Sequence, residues 1–166
     1  MTSPTKALIT THILDQTTGR PAAGVQVHLH SNGEGNKSSI HVAAHTDADG
    51  RIGQWTEVLS SPQRNATEYL ATEHLSMEHL ATGSSSSSKA DSAEDLDANT
   101  LIAQRISEQA EPQTWRLVFH TGKYFNNKTF WPVVELVVLI DSKDERGHWH
   151  VPLLLGPFGY TTYRGS

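Results

Sequence analysis

Val25, Val27 and Leu29 alternate with Gln26, His28 and His30, the period-two pattern of a strand with one face in a core and the other in water. Residues 7 to 14 follow the same rule, setting Ala7, Ile9, Thr11 and Ile13 against Leu8, Thr10, His12 and Leu14. Trp115, Leu117 and Phe119 alternate with Arg116, Val118 and His120, which places His120 on an outward face. Val133 to Ile140 is apolar almost throughout, Glu135 excepted, and predicts a central strand or one covered on both faces. Asp15 to Pro21 and Asp47 to Gly50 carry the Gly, Pro and Asp punctuation of turns, while Gly122 to Asn127 leaves room for a short helix. These elements predict a mainly β, mostly antiparallel two-sheet sandwich in a single domain.

Residues 60 to 113 interrupt the pattern and read as an insertion between strands. Ser84 to Ser88 is low-complexity and Asp91 to Asp97 is acidic, so this part is expected to be disordered. On either side, Thr67 to Leu80 and Asn99 to Ser107 favour helix by composition and spacing.

Composition narrows the function classes. A formal charge of -5 with only 13 Lys and Arg excludes a phosphate-neutralising surface, so no nucleic acid partner is expected. The absence of Cys removes disulfides, a thiolate nucleophile and Cys-based zinc sites together. No apolar run approaches the roughly 20 residues that span a bilayer, and residues 1 to 20 lack a signal-peptide pattern. A soluble protein with no membrane partner is expected. The ending Tyr163-Arg-Gly-Ser166 is not a Ser-Lys-Leu type of address, and the compartment expected is cytoplasmic or peroxisomal.

The candidate chemistry is imidazole-rich, with 10 His in 166 residues. His74 and His79 fall in the insertion and are expected on solvated helix faces; His28, His30, His41 and His45 lie on or near the second strand. Two His-x-His pairs, His28/His30 and His148/His150, point two imidazoles to one side of a strand and raise the question of a metal. Zinc needs a third protein ligand, the chain offers no Cys and no His-Glu-x-x-His helix, and Pro152 and the apolar run leave little room for a carboxylate ligand nearby, so no metal is expected. There is no nucleophile elbow, phosphate-binding loop or dinucleotide fingerprint. The final residues from His148 onward combine imidazole, an apolar run at Val151 to Leu155, aromatic turns and a polar tip, the look of a tail whose end belongs in a site. Imidazole, guanidinium, phenol and hydroxyl together suit hydrolysis of a small polar heterocycle.

Six ordered blocks carry a family resemblance: Leu8 to Asp15, Thr18 to Val25, Thr46 to Arg51, Trp115 to Phe125, Trp131 to Glu135 and the Tyr163 to Ser166 tetrapeptide. Together they resemble the 5-hydroxyisourate hydrolases, the transthyretin-related enzymes of urate breakdown, over about residues 6 to 59 and 114 to 166. The resemblance implies a transthyretin-like, Greek-key type sandwich with one short helix at Thr121 to Asn127. It also implies a homotetramer, a dimer of dimers with active sites in a channel at the interface, and no cofactor. Position by position it assigns His12, Arg51, His150 and Ser166 to catalysis, and His12, Arg51 and Tyr163 to substrate binding, with Arg164 anchoring the tail. The implied substrate is 5-hydroxyisourate and the implied product 2-oxo-4-hydroxy-4-carboxy-5-ureidoimidazoline.

Three rivals remain against this reading. A small-molecule carrier on the same sandwich would call for a more apolar channel. An interaction module would use the insertion as its active element, and removing residues 62 to 112 would separate it from the enzyme. A histidine-rich metal binder would answer to a chelator.

Overall fold

The computed structural model describes residues 7–31, 39–59 and 97–166. The helix expected at Thr67 to Leu80 and the serine-rich tract lie outside these residues. Among the described residues, ten strands form two sheets. The first contains β1 (Ile9–Asp15), β2 (Arg20–Pro21), β5 (Arg51–Ile52), β9 (Trp149–Gly156) and β10 (Gly159–Thr162), in the order β10-β9-β1-β2 with β5 also paired to β1. The second contains β3 (Gln26–Ser31), β4 (Ile40–His45), β6 (Glu57–Val58), β7 (Gln113–Phe119) and β8 (Val134–Ile140), in the order β6-β4-β3-β7-β8. Every pairing is antiparallel except β1 with β9, which run parallel from Ile9↔Trp149 to Asp15↔Leu155. The chain passes repeatedly between the sheets, giving the expected two-sheet sandwich.

Alternation explains which side of each strand is dry. Ile9 and Ile13 of β1, Val27 and Leu29 of β3, Leu117 and Phe119 of β7, and Leu153 and Leu155 of β9 meet between the sheets. Thr11 shares that buried side because its hydroxyl donates to the Val151 carbonyl at 2.7 Å, satisfying a polar group that would otherwise be costly there.

Three sequence readings are corrected. The face of β3 that carries His28 is not wet at that position, since His28 is only 6% exposed. His120 is not outward-facing; it is buried at the end of β7, just before α2 (Thr121–Tyr124), and its backbone N–H donates to the Gln26 carbonyl. The apolar run of β8 is an edge strand, not a central one, and leaves Val137 and Leu139 each 64% exposed.

The insertion is also less peripheral than its sequence implies. The expected helix near Asn99 forms as α1 (Ala98–Ser107), started by Asp97, whose carboxylate accepts from the backbone N–H groups of Asn99 and Thr100. Asp97, the last residue of the acidic run, is therefore a helix cap. Ile102 and Ile106, four apart on one helix face, are buried in the common core. The Asn99 amide accepts from the Trp55 N–H at 3.0 Å and donates to the Trp55 carbonyl at 3.3 Å, locking α1 against the segment after β5. Among the described residues, no helix is long and apolar enough to cross a membrane.

Candidate active site

The site begins with a turn. The Asp47 carboxylate accepts from the backbone N–H groups of Asp49 and Arg51, both at 2.9 Å, and closes the loop locally. Gly50 occupies the left-handed region at φ 71°, and a Cβ there would stand 2.5 Å from the Ile13 carbonyl oxygen. Glycine is required on both counts. With the turn drawn this close, the Ile13 N–H donates to the Gly50 carbonyl at 2.8 Å, and Arg51 becomes the direct ladder partner of His12.

The parallel pairing of β1 with β9 supplies the second half. It sets Thr10 opposite His150, on the outward side that Thr10 shares with His12. The Thr10 hydroxyl lies 2.9 Å from His150 Nδ1 and 3.0 Å from His148 Nε2. The two imidazoles stack nearly parallel, 6.3 Å apart. A hydroxyl has one proton to give, so it cannot donate to both rings. It accepts from a ring that carries N–H towards it and donates to at most one ring that does not.

The tail then closes over this pair. The Gly165 N–H donates to the His150 carbonyl at 2.9 Å. A Cβ at Gly165 would lie 2.4 Å from His150 Cδ2, so the backbone passes flat against the imidazole. The Thr162 hydroxyl donates to the Pro152 carbonyl, and Arg164 pairs with Asp144 at 2.7 Å. Asp144 also pairs with Arg146, and these contacts hold its carboxyl well below the usual range. Ser166 arrives beside Thr10, Thr11, Arg51, Ile52, Gly53, His148 and His150 around a hollow of about 200 Å³.

Burial lowers the pKa of His12 and His150 below the ordinary 6.5, and the Arg51 charge lowers both further. The carboxylates of Asp47 and Asp49 oppose the shift at His12, while His148 and His12 add to the one at His150. Both rings are therefore neutral at pH 7, the form that can take a proton.

Of the residues named from sequence, Arg51, His150 and Ser166 line the hollow and His12 stands next to Arg51. Tyr163 does not line it. Within one chain Tyr163 is 57% exposed and borders a separate hollow of about 370 Å³ between β8 and β9. Thr10 and His148 also belong to the hollow, and the family resemblance assigns neither a role. The signals were the two-residue spacings Thr10/His12 and His148/His150, which put each pair on one side of its strand.

The fold and hollow define a class: a β-sandwich presenting imidazole, guanidinium and hydroxyl groups on the outward face of one sheet, equipped for proton transfer to a small polar molecule. The HIUase/Transthyretin family model matches residues 9–165, and the chain belongs to that family. A 5-hydroxyisourate hydrolase of Salmonella dublin is 31% identical over 163 residues, covering 96% of this chain and 81% of the relative. The uric acid degradation bifunctional protein TTL of Arabidopsis thaliana is 33% identical over 95% of this chain, which spans only 37% of that longer protein. The structure of a Klebsiella pneumoniae 5-hydroxyisourate hydrolase superimposes with a TM-score of 0.51 at 24% identity, covering 95% of this chain and 98% of the other, a likeness of fold.

Proposed function

We propose that this protein is a hydrolase that opens the six-membered ring of 5-hydroxyisourate at its amide, giving 2-oxo-4-hydroxy-4-carboxy-5-ureidoimidazoline. The observation that carries the reading is the convergence of Arg51, His150 and Ser166 on one hollow beside His12, in a chain whose relatives bear the hydrolase name. The imidazole, guanidinium and hydroxyl groups around the hollow also favour chemistry over the storage of an apolar ligand.

His12 and His150 divide the proton work. One imidazole takes a proton from water as its oxygen attacks the ring carbonyl; the C–N bond then breaks, and a proton passes to the leaving nitrogen. The Thr10 hydroxyl decides which form His150 holds. When His150 Nδ1–H donates to Thr10, Thr10 donates to His148 and His150 Nε2 is a base. In the opposite arrangement Nε2–H only donates a hydrogen bond, and the imidazolium formed when a ring takes water's proton is the acid that protonates the leaving nitrogen. Arg51 holds the ring and stabilises negative charge developing on the attacked oxygen. Ser166 supplies a hydrogen bond to the ring, and Tyr163 does so once chains assemble. The reaction uses no cofactor.

The assembly proposed is a homotetramer, a dimer of dimers with active sites at the interface. The apolar edge strand β8, with Val137 and Leu139 exposed, and the Tyr163 ring lying outside its own chain's hollow support it. The compartment proposed is the cytoplasm or the peroxisome, which cell fractionation distinguishes.

The test is the decay of freshly generated 5-hydroxyisourate followed by ultraviolet absorbance. The intact protein accelerates decay, and His150→Ala loses most of the acceleration. A folded protein that leaves spontaneous decay unchanged overturns the reading.

A further inference from the structure

The second sheet carries another imidazole cluster on its outer face. His28 and His30 of β3 point away from the core side occupied by Val27 and Leu29, and His41 of β4 is the direct ladder partner of His30. His28 is paired with Ala43, whose small side chain leaves room beside it for His41 to lean across. His41 Nε2 comes within 2.9 Å of His28 Nδ1, and its ring centre is 3.9 Å from that of His30. Each of the three residues offers a ring nitrogen, and these nitrogens all lie within 4.8 Å of one another. Cross-strand register thus gives the His28/His30 pair a third imidazole that its own strand does not offer.

We propose that His28, His30 and His41 form a binding site for one divalent transition-metal ion of the zinc type, separate from the hydrolytic hollow. Nitrogens bound at about 2.0–2.1 Å in tetrahedral geometry stand roughly 3.3 Å apart, so modest ring rotations bring these three onto one ion. An all-imidazole set selects zinc, copper, nickel or cobalt over magnesium or calcium, which prefer oxygen. Three protein ligands leave a fourth position for water or a small anion.

The surroundings fit this assignment. His120 packs its ring 4.8 Å from that of His28 and backs the cluster. Arg116, the partner of His30 in β7, would repel a cation, but its guanidinium is engaged by Glu135 at 3.4 Å. The hydrolytic residues project from the outward face of the first sheet, so the core separates the two clusters.

The test uses the full chain, stripped with a chelator and titrated with Co2+, whose visible ligand-field bands report tetrahedral binding. One Co2+ per chain, displaced by Zn2+, is expected. His41→Gln weakens it by more than about 100-fold, since even outer-shell losses cost 10–100-fold. The His150→Ala protein retains it, and X-ray absorption of the zinc-loaded His150→Ala protein counts three imidazoles without altering the site. No tetrahedral Co2+ signal from the folded chain overturns the proposal. So does a signal that survives His41→Gln but disappears in His150→Ala, which would place the ion in the hydrolytic hollow.

Discussion

Gly165→Ala tests whether the tail is part of the active site or merely lies near it. The added Cβ would stand 2.4 Å from His150 Cδ2 and 3.1 Å from both His150 Cγ and Pro152 Cγ, where ordinary contact begins at 3.4 Å. Neither neighbour is the loose end of a flexible side chain. The imidazole is fixed by Thr10 and the proline ring by the strand, so the tail or the imidazole must move by about 1 Å. A misplacement of that size in a catalytic group costs about 10²-fold in rate, or about 2.7 kcal/mol of transition-state stabilisation. The folded state loses little, because Gly165 contributes one backbone hydrogen bond to His150, worth about 1 kcal/mol. The expected result is kcat/KM for 5-hydroxyisourate reduced about 100-fold, with a thermal midpoint shifted by only a few degrees. Activity equal to that of the unaltered protein would refute the argument. A collapse in stability that by itself accounts for the lost activity would refute it too.

Arg51→Gln removes the positive charge that helps to depress His12 and His150, so both pKa values rise towards 6.5. A neutral base loses activity as pH falls through its pKa; the acidic limb of the kcat/KM profile therefore moves to higher pH in the variant, and a limb that stays or moves down contradicts the mechanism. Asp144→Ala frees Arg164 from its 2.7 Å pair, and the expected outcome is a raised KM with an unchanged thermal midpoint, read from initial rates and circular dichroism. Ile102→Ala, at a fully buried helix position, costs about 2–5 kcal/mol in urea unfolding. Removing residues 62 to 112 takes away the same helix and unfolds the domain, so loss of hydrolysis on that deletion reports lost core packing and not a catalytic insertion.

Alternation made the two inner faces legible, because a buried side every second residue leaves an unambiguous record at Ile9, Thr11 and Ile13 or at Val27 and Leu29. It misled at β8, because a run apolar on both faces says that both are to be covered and not by what. Val137 and Leu139 are exposed within one chain, so the run reads as central although it is an edge. His120 was placed outward by extending the β7 alternation one residue past the strand's end, where the chain turns into α2 and buries the ring. The packing of α1 was hidden for a related reason: its amphipathic face is short, and nothing local shows that Asn99 meets the backbone of Trp55.

The two imidazole clusters show most clearly what a sequence withholds. Each starts from a His-x-His pair, and in each the neighbour that gives the pair its chemistry comes from another strand. At the first, Thr10 and Arg51 come beside His148 and His150 only through the parallel pairing of β1 with β9, at opposite ends of the chain. At the other, His41 reaches His28 and His30 through the register of β3 with β4. Periodicity gives the side of a strand but not the partner across it, so the tail from His148 could be read as part of a site while its partners came from family resemblance, and nothing local set His41 beside His28 and His30. Gly50 and Gly165 are the exceptions that left a local trace: at each, another chain segment or ring occupies the space of a Cβ, and each marks a place where the backbone closes on the face that carries His12 and His150.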